Sequence, residues 1–324
     1  MDQSANAPLS AWSDIKDDHQ PIRLDESVSI GIAAYGNAEA TQRCLEALFK
    51  SSEGDFELIL INDNSPDEGL TSHTFNWASS IHKNTLIYEV TERNLEYSGS
   101  VNLLLSHAKG DKIMFVSNDI FVTPYYFRAT LQACAATYNW GIIRGSSNFV
   151  DNGLSSHNIQ PGNPINSLED IFTESLNLYS LFADLCAPDP YLTGDAFIVN
   201  RELINKIGSF DPLFYGYFAD HDYGLRAKIA GMETMLIPGA YAFHQAGSNV
   251  SYLSEEDQAR KLSLRWARIH ENWARFKLKY GICVEVPYTS VNDIAWNELA
   301  SVSFNQEAHY ISPKEYGAFL VKPR

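Results

Sequence analysis

Basic side chains are scarce in this chain: 24 Lys and Arg stand against 40 Asp and Glu, a formal charge of −16. Such a surface repels nucleic acid and anionic lipid, so no nucleic-acid partner is expected. A nucleotide held here needs a bridging cation or oriented backbone N–H groups. Cysteine is scarce too. Cys44, Cys134, Cys186 and Cys283 are far apart with no C-x-x-C spacing, which supplies neither a zinc ligand set nor a disulfide framework. They read as reduced, buried, small apolar groups of a cytosolic protein. No run approaches the ~20 apolar residues of a transmembrane segment. The polar start, MDQSANAPLSAWSDIKDDHQ, lacks the apolar stretch of a secretory signal. The expected location is cytoplasmic, with peripheral attachment to a membrane left open. There is no internal repeat and no low-complexity segment.

What is present is a globular composition, 45% hydrophobic in 324 residues, enough for one large domain or two small ones. The stretch KGDKIMFVSNDIFVTP, Lys109 to Pro124, organises the reading. Ile113 to Val116 form a short apolar run, the mark of a strand buried on both faces. It stops at Ser117-Asn118-Asp119. A polar triplet at the C-terminal end of a buried strand lies where open α/β sheets place ligand groups; the alternative is that Asn118 and Asp119 cap the next helix. Upstream, Val28 to Ala34 and Phe56 to Ile61 read as buried strands, the second ending in the cluster Asn62 to Asp67. Helical spacing covers Glu39 to Phe49 and Gly69 to His82, and Thr85 to Val90 is a third strand. This alternation predicts a parallel sheet with right-handed crossovers.

Residues 1–26 read as an arm, flexible or docked on the body. Tyr125 to Tyr138 is predicted helical and Gly141 to Val150 extended. An Asn/Ser/Gly/Pro-rich insertion spans 151–190, with a helix at Leu168 to Leu185, and is a usual place for substrate contacts. Ser254 to Tyr280 reads as a long helix with a capping-box start and apolar Leu262, Trp266, Ile269, Trp273 and Phe276, packed on the body or on a partner, which opens a route to oligomers. Residues 282–324 take no assignment.

Several motifs in order resemble one family. VSIGIAAYGN is similar to its first strand and turn. LILINDNSPDEG resembles "VDDGSTDG", and NLEYSGSVNLLLSHAKGDKIMFVSND resembles "NLGFAGGNNLGLAHATGDYILFLDAD". YLTGDAFIVNRELINKIGSFDPLFYGYFADHDYGLRAKIAGMETMLIPGAYAFH resembles "GAFMLIRREAFEEVGGFDERFF…EDVDLCLR" with its later His. From Val28 to about Ser251 the chain thus resembles an inverting family 2 glycosyltransferase of the GT-A fold, with the rhamnosyltransferase-like branch a candidate. The resemblance implies a Rossmann-like mixed α/β sheet flanked by helices, to which the 254–280 helix adds a C-terminal helical extension. It divides the chain into 1–26 as arm, 27–250 as GT-A domain (27–124 nucleotide half, 125–250 acceptor half) and 251–324 as extension and tail. It implies transfer of a sugar from a UDP-, GDP- or dTDP-linked donor to a glycan or other hydroxyl acceptor, in glycan or polysaccharide synthesis, with Mn²⁺ or Mg²⁺.

Carried over residue by residue, the resemblance makes Asp220 the general base and Asp119 and His244 the metal ligands. Ala33, Tyr35, Asp63, Asn94, Asn118 and Asp119 fall at the nucleotide. Asp195, His221 and Asp222 fall beside the donor sugar or acceptor. A carboxylate in a closed cleft, with Asp222 as a like-charged neighbour, is expected to have a raised pKa suited to proton abstraction. The other reading of Asp222 is an i,i+4 pair with Arg226. The chain departs from the family where Ser117 replaces the first Asp of Asp-x-Asp, Ala219 replaces a Glu, and Glu96 replaces the Gly of "NLG". These departures sustain a second hypothesis, a silent GT-A domain that binds sugar or nucleotide. A sugar nucleotidyltransferase needs a basic Gly-rich loop where this chain has AAYGNAEA, and no G-x-G-x-x-G supports an oxidoreductase.

Overall fold

The computed structural model describes residues 19–150, 154, 156–182, 184–214, 216–245, 254–314 and 318–321. Most of the predicted arm, 1–18, lies outside them. Its end is docked: His19 is buried, with Nδ1 3.0 Å from the Tyr125 hydroxyl, and β1 (Ile22–Leu24) pairs in parallel with Ser52–Gly54.

The chain then runs β2 (Val28–Ala34), α1 (Ala38–Ser51), β3 (Ser52–Gly54), β4 (Glu57–Asn62), α2 (Leu70–Ile81), β5 (Thr85–Val90), α3 (Glu96–His107), β6 (Lys112–Ser117), β7 (Ile120–Phe121), α4 (Pro124–Ala136) and β8 (Trp140–Ser147). It continues through α5 (Leu168–Phe182), β9 (Ala187–Pro188), β10 (Ala196–Asn200), α6 (Arg201–Ile207), α7 (Ala219–Ile229), β11 (Glu233–His244), α8 (Glu255–Tyr280), α9 (Trp296–Leu299), α10 (Gln306–His309) and β12 (Ala318–Val321).

One sheet orders these strands β12-β5-β4-β2-β6-β10-β8-β11-β7, with β9 paired beside β11. Every residue of β4 and β8 is buried, as expected of central strands covered by helices on both faces. Each fully buried Leu or Ile there contributes about 1.5–3 kcal/mol of transfer free energy. Helix α3 sits unusually close to β2 because Gly31 has no side chain: a Cβ there would fall 2.4 Å from the Leu104 methyls.

The parallel sheet read from the strand–helix rhythm holds for the first half, and the mixed sheet implied by the resemblance for the whole. Strands β5, β4, β2 and β6 are parallel neighbours, but β10 lies antiparallel between β6 and β8, and β11 is parallel to β8. The sheet is therefore mixed. Because β8 and β10 run oppositely, the connection between them leaves and re-enters the sheet at one rim, the rim where β2, β4 and β6 also end. The tail, unassigned from sequence, supplies β12, an antiparallel edge strand beside β5.

Helix α8 begins with Ser254 accepting from the Asp257 N–H and ends at left-handed Gly281. Its buried apolar residues lie in its second half: Ile269, Trp273 and Phe276 are buried, whereas Leu262 and Trp266 are exposed. The cysteine expectation is also corrected in part. Cys44 and Cys134 are buried, but Cys186 and Cys283 are exposed. Among the described residues no helix is long and apolar enough to cross a membrane.

Candidate active site

The sheet's direction gathers the predicted residues. Ala33 pairs with Ser117 across β2 and β6, and Ala34 with Asn62 across β2 and β4. The Ser117 N–H donates to the Asp195 carbonyl at 2.9 Å, and His244 pairs with Ile120. One rim therefore carries Ala33, Tyr35, Asp63, Asn118, Asp119, Asp195 and His244.

A cleft of about 240 Å³ opens there. Ala33, Tyr35, Asp63, Asn94 and Asn118 line it, five of the six residues expected at a nucleotide. Tyr35 is exposed, which rules out a plain core role and leaves its ring free for stacking. Asn118 is held by donating Nδ2–H to Thr41 Oγ1 at 2.9 Å. Asp63 accepts from the Leu95 N–H at 2.6 Å and from the Ser100 hydroxyl at 3.1 Å. Burial pushes its pKa up to about 6, against the lowering effect of those hydrogen bonds.

Asp119 is the sixth. Its Oδ2 lies 3.5 Å from His244 Nε2. The other ring nitrogen, Nδ1, lies 2.9 Å from the Phe149 carbonyl, which fixes Nδ1 as the donor and turns Nε2 toward the carboxylate. A carbonyl behind an imidazole is the usual orienting partner of a metal-bound His. Burial disfavours charge on His244, but Asp119, Asp195 and the Phe149 carbonyl outweigh it and push the pKa up to about 9. A cation entering there would displace that proton. Among the described residues no cluster of three or more His, Cys, Asp or Glu forms a complete ligand set. The pair would fit a divalent cation that takes its other ligands from outside the protein.

Asp220 sits in the first turn of α7. Its Oδ2 accepts from the Gly194 N–H at 3.0 Å, and Oδ1 accepts from the His221 N–H at 2.9 Å with the His221 ring 2.9 Å away. Burial alone would raise its pKa, but His221 and the N–H donors prevail and hold the carboxyl below the ordinary carboxylate range. The expected upward shift is therefore reversed. Asp222 does not act on it as a like charge: this side chain is fully buried, accepting from Arg226 Nε at 2.7 Å, from Lys279 and from the Tyr280 hydroxyl. That cluster takes Asp222 out of the cleft and corrects its placement beside the sugar. His221 is stacked on Tyr191 at 4.5 Å and lies close to Phe218 and Trp296, so it orients Asp220.

Asp195 opens toward the same region. Its Oδ1 lies 3.0 Å from Nη2 of the buried Arg144, an ion pair without aligned hydrogen-bond geometry, and its Oδ2 is 3.4 Å from Ser147 Oγ. Arg144 also donates to the Thr193 carbonyl and abuts His157, whose Nε2 meets Asp189 at 2.8 Å.

The sequence matches the family model described as Glycosyl transferase family 2 over residues 29–208. The chain belongs to that family. Its fold is similar to that of a mannosyltransferase from Pyrobaculum calidifontis, PcManGT, solved with GDP-Man and Mn²⁺: TM-score 0.56 at 13% identity, covering 87% of this chain and 72% of that one. It is also similar to GalNAc-T7, solved with UDP, GalNAc and Mn²⁺: TM-score 0.55 at 14% identity, covering 85% of this chain and 55% of that one. No curated protein sequence matches. The family 2 glycosyltransferase assignment and the GT-A fold agree with the mixed sheet described above.

Sequence reasoning put Glu96 near the cleft but not its partner on α8, and it missed Lys261. Glu96, where the family has Gly, has a left-handed φ of 59°, and its carboxylate pairs with Arg268 of α8 at 2.7 Å. Lys261, two turns earlier on the same side of α8, also lines the cleft. The family's Gly at position 96 was the available signal for the backbone conformation. Nothing in the sequence marked α8 as a wall of this cleft.

Proposed function

We propose that this protein transfers a sugar, with inversion, from a nucleoside-diphosphate donor to an acceptor hydroxyl, in glycan or polysaccharide synthesis. The observation that carries the reading is the shared rim: a cleft lined by Tyr35, Asp63, Asn94 and Asn118 beside the Asp119–His244 pair and the Asp220 carboxylate. In this reading the base of a UDP-, GDP- or dTDP-linked donor packs on Tyr35 and donates an N–H to Asp63. The diphosphate lies toward Asp119, with Lys261 offsetting part of its charge.

Asp119 and His244 would hold a divalent cation, Mn²⁺ or Mg²⁺, which supplies Lewis-acid stabilisation of the leaving diphosphate. The imidazole favours Mn²⁺, and the solved mannosyltransferase carries that ion. Asp220 takes the acceptor proton. Its lowered pKa keeps it ionised at neutral pH, ready to accept, while the His221 contact and the Gly194 N–H fix its direction.

A silent binding domain is the second reading, favoured by Ser117 and Ala219 where the family has carboxylates. Release of nucleoside diphosphate from a panel of UDP-, GDP- and dTDP-sugars with Mn²⁺ separates the two. Transfer predicts release with at least one donor; binding with no release supports the silent domain, and no binding to any donor contradicts both.

A further inference from the structure

Tyr97 carries a buried hydroxyl with no hydrogen-bond partner among the described residues. Its side chain lines the cleft. The ring is held edge-on to Phe115 and Phe210, with centroids 5.5 and 6.1 Å away, which fixes where the hydroxyl sits. It is packed against Gly194, where an added Cβ would fall 1.6 Å from the oxygen. Gly194 is the residue whose N–H binds Asp220, and Asp195 follows it in the chain. The hydroxyl thus lies near both the proposed base and the Arg144-paired carboxylate. In the family pattern this position is the Phe of "NLGFAGG", so the ring fills a space the fold requires, and the oxygen is an addition that the fold does not use.

Leaving a buried hydroxyl unpaired costs about 1–3 kcal/mol, a cost that a ligand oxygen can remove. We infer that the Tyr97 hydroxyl donates a hydrogen bond to a sugar hydroxyl of the bound substrate and so helps to choose which sugar is accepted. The inference rests on the sugar-transfer reading above and deepens it. Burial, with the nearby Asp220 and Asp195 carboxylates, holds the phenol pKa well above its ordinary value, so the group keeps its proton and acts as donor. Its neighbour Gly194 must stay Gly for the same reason: any side chain there would occupy the hydroxyl's place.

The test compares wild type with Tyr97→Phe in three measurements: thermal stability of the ligand-free protein, affinity for the nucleoside diphosphate and for the intact nucleotide sugar by calorimetry, and KM for the acceptor. The variant should be as stable as wild type or more so, because it loses an unpaired polar group, and its nucleoside diphosphate affinity should not change. A fall of about three- to tenfold, the worth of one neutral hydrogen bond, should appear in nucleotide-sugar affinity if the partner is on the donor, or in acceptor KM if it is on the acceptor. Unchanged values for both overturn the proposal, as does a clear loss of ligand-free stability, which would mean the hydroxyl serves the fold. If wild type binds nucleoside diphosphate but no nucleotide sugar, the transfer reading itself falls and takes the proposal with it.

Discussion

Oδ2 of Asp119 and Nε2 of His244 face each other at 3.5 Å, brought together by the antiparallel pairing of β7 with the end of β11. If this pair holds a divalent cation against the diphosphate, its removal should act only when the cation is there. His244→Ala is expected to weaken nucleoside diphosphate binding in Mn²⁺ about tenfold, or about 1.4 kcal/mol. Affinity in EDTA should not change. Calorimetry with and without Mn²⁺ checks both.

Asp63 gives a pH dependence. Burial pushes its pKa up to about 6 from an ordinary 3.8. Below that value the carboxyl is protonated and would accept from the base N–H only as a weaker, uncharged acceptor. Nucleoside diphosphate affinity should therefore fall as pH drops from 7 to 5, and Asp63→Asn should flatten the profile. Stability has the opposite sense. The folded state binds the extra proton, so this residue's contribution is fullest below the unfolded value and is lost as pH rises through about 6.

Asp222 and Arg226, both fully buried, test the architecture beneath the site. Asp222→Ala leaves the Arg226 charge buried and unpaired and should cost about 3–5 kcal/mol in urea unfolding. Burial disfavours the charged form of Asp222, but Arg226 and Lys279 prevail and depress its pKa. The unfolded state therefore binds more protons, and the stabilisation is present above the unfolded carboxylate range, near pH 4, and lost as pH falls through the lower native value. The wild-type urea midpoint should drop in acid more steeply than that of Asp222→Asn.

The strands that build the rim were legible because their signal is local. FELILI and VSIGIAA are apolar runs closed by polar turns, and the structure buries them. The antiparallel β10 was not legible, since strand direction depends on where the long 148–195 connection returns. Asp222 shows the limit at the site. An i,i+4 spacing to Arg226 was visible, but Lys279 and Tyr280, which complete its burial, come from a distant helix. The pKa of Asp220 was misjudged because burial, which raises it, is outweighed by the adjacent His221 and the Gly194 N–H, while the like-charged Asp222 is neutralised by that distant helix.

Glu96 offers a gain-of-binding experiment. Its left-handed backbone costs about 1 kcal/mol for a residue with a side chain, a cost that Gly does not incur. Glu96→Gly also removes a negative charge from the cleft and releases Arg268. Stability should change by less than about 1 kcal/mol, because the relief offsets the greater freedom of the unfolded chain. Nucleoside diphosphate affinity should rise, most clearly at low ionic strength.

The most direct measurement is single-turnover transfer by Asp220→Asn, with donor affinity determined on the same sample. A base acting on the acceptor hydroxyl predicts donor affinity close to wild type and a rate lower by about 10²- to 10⁴-fold. Transfer at the wild-type rate would contradict the assignment of Asp220, and with it the claim that this rim of the sheet is where the sugar moves.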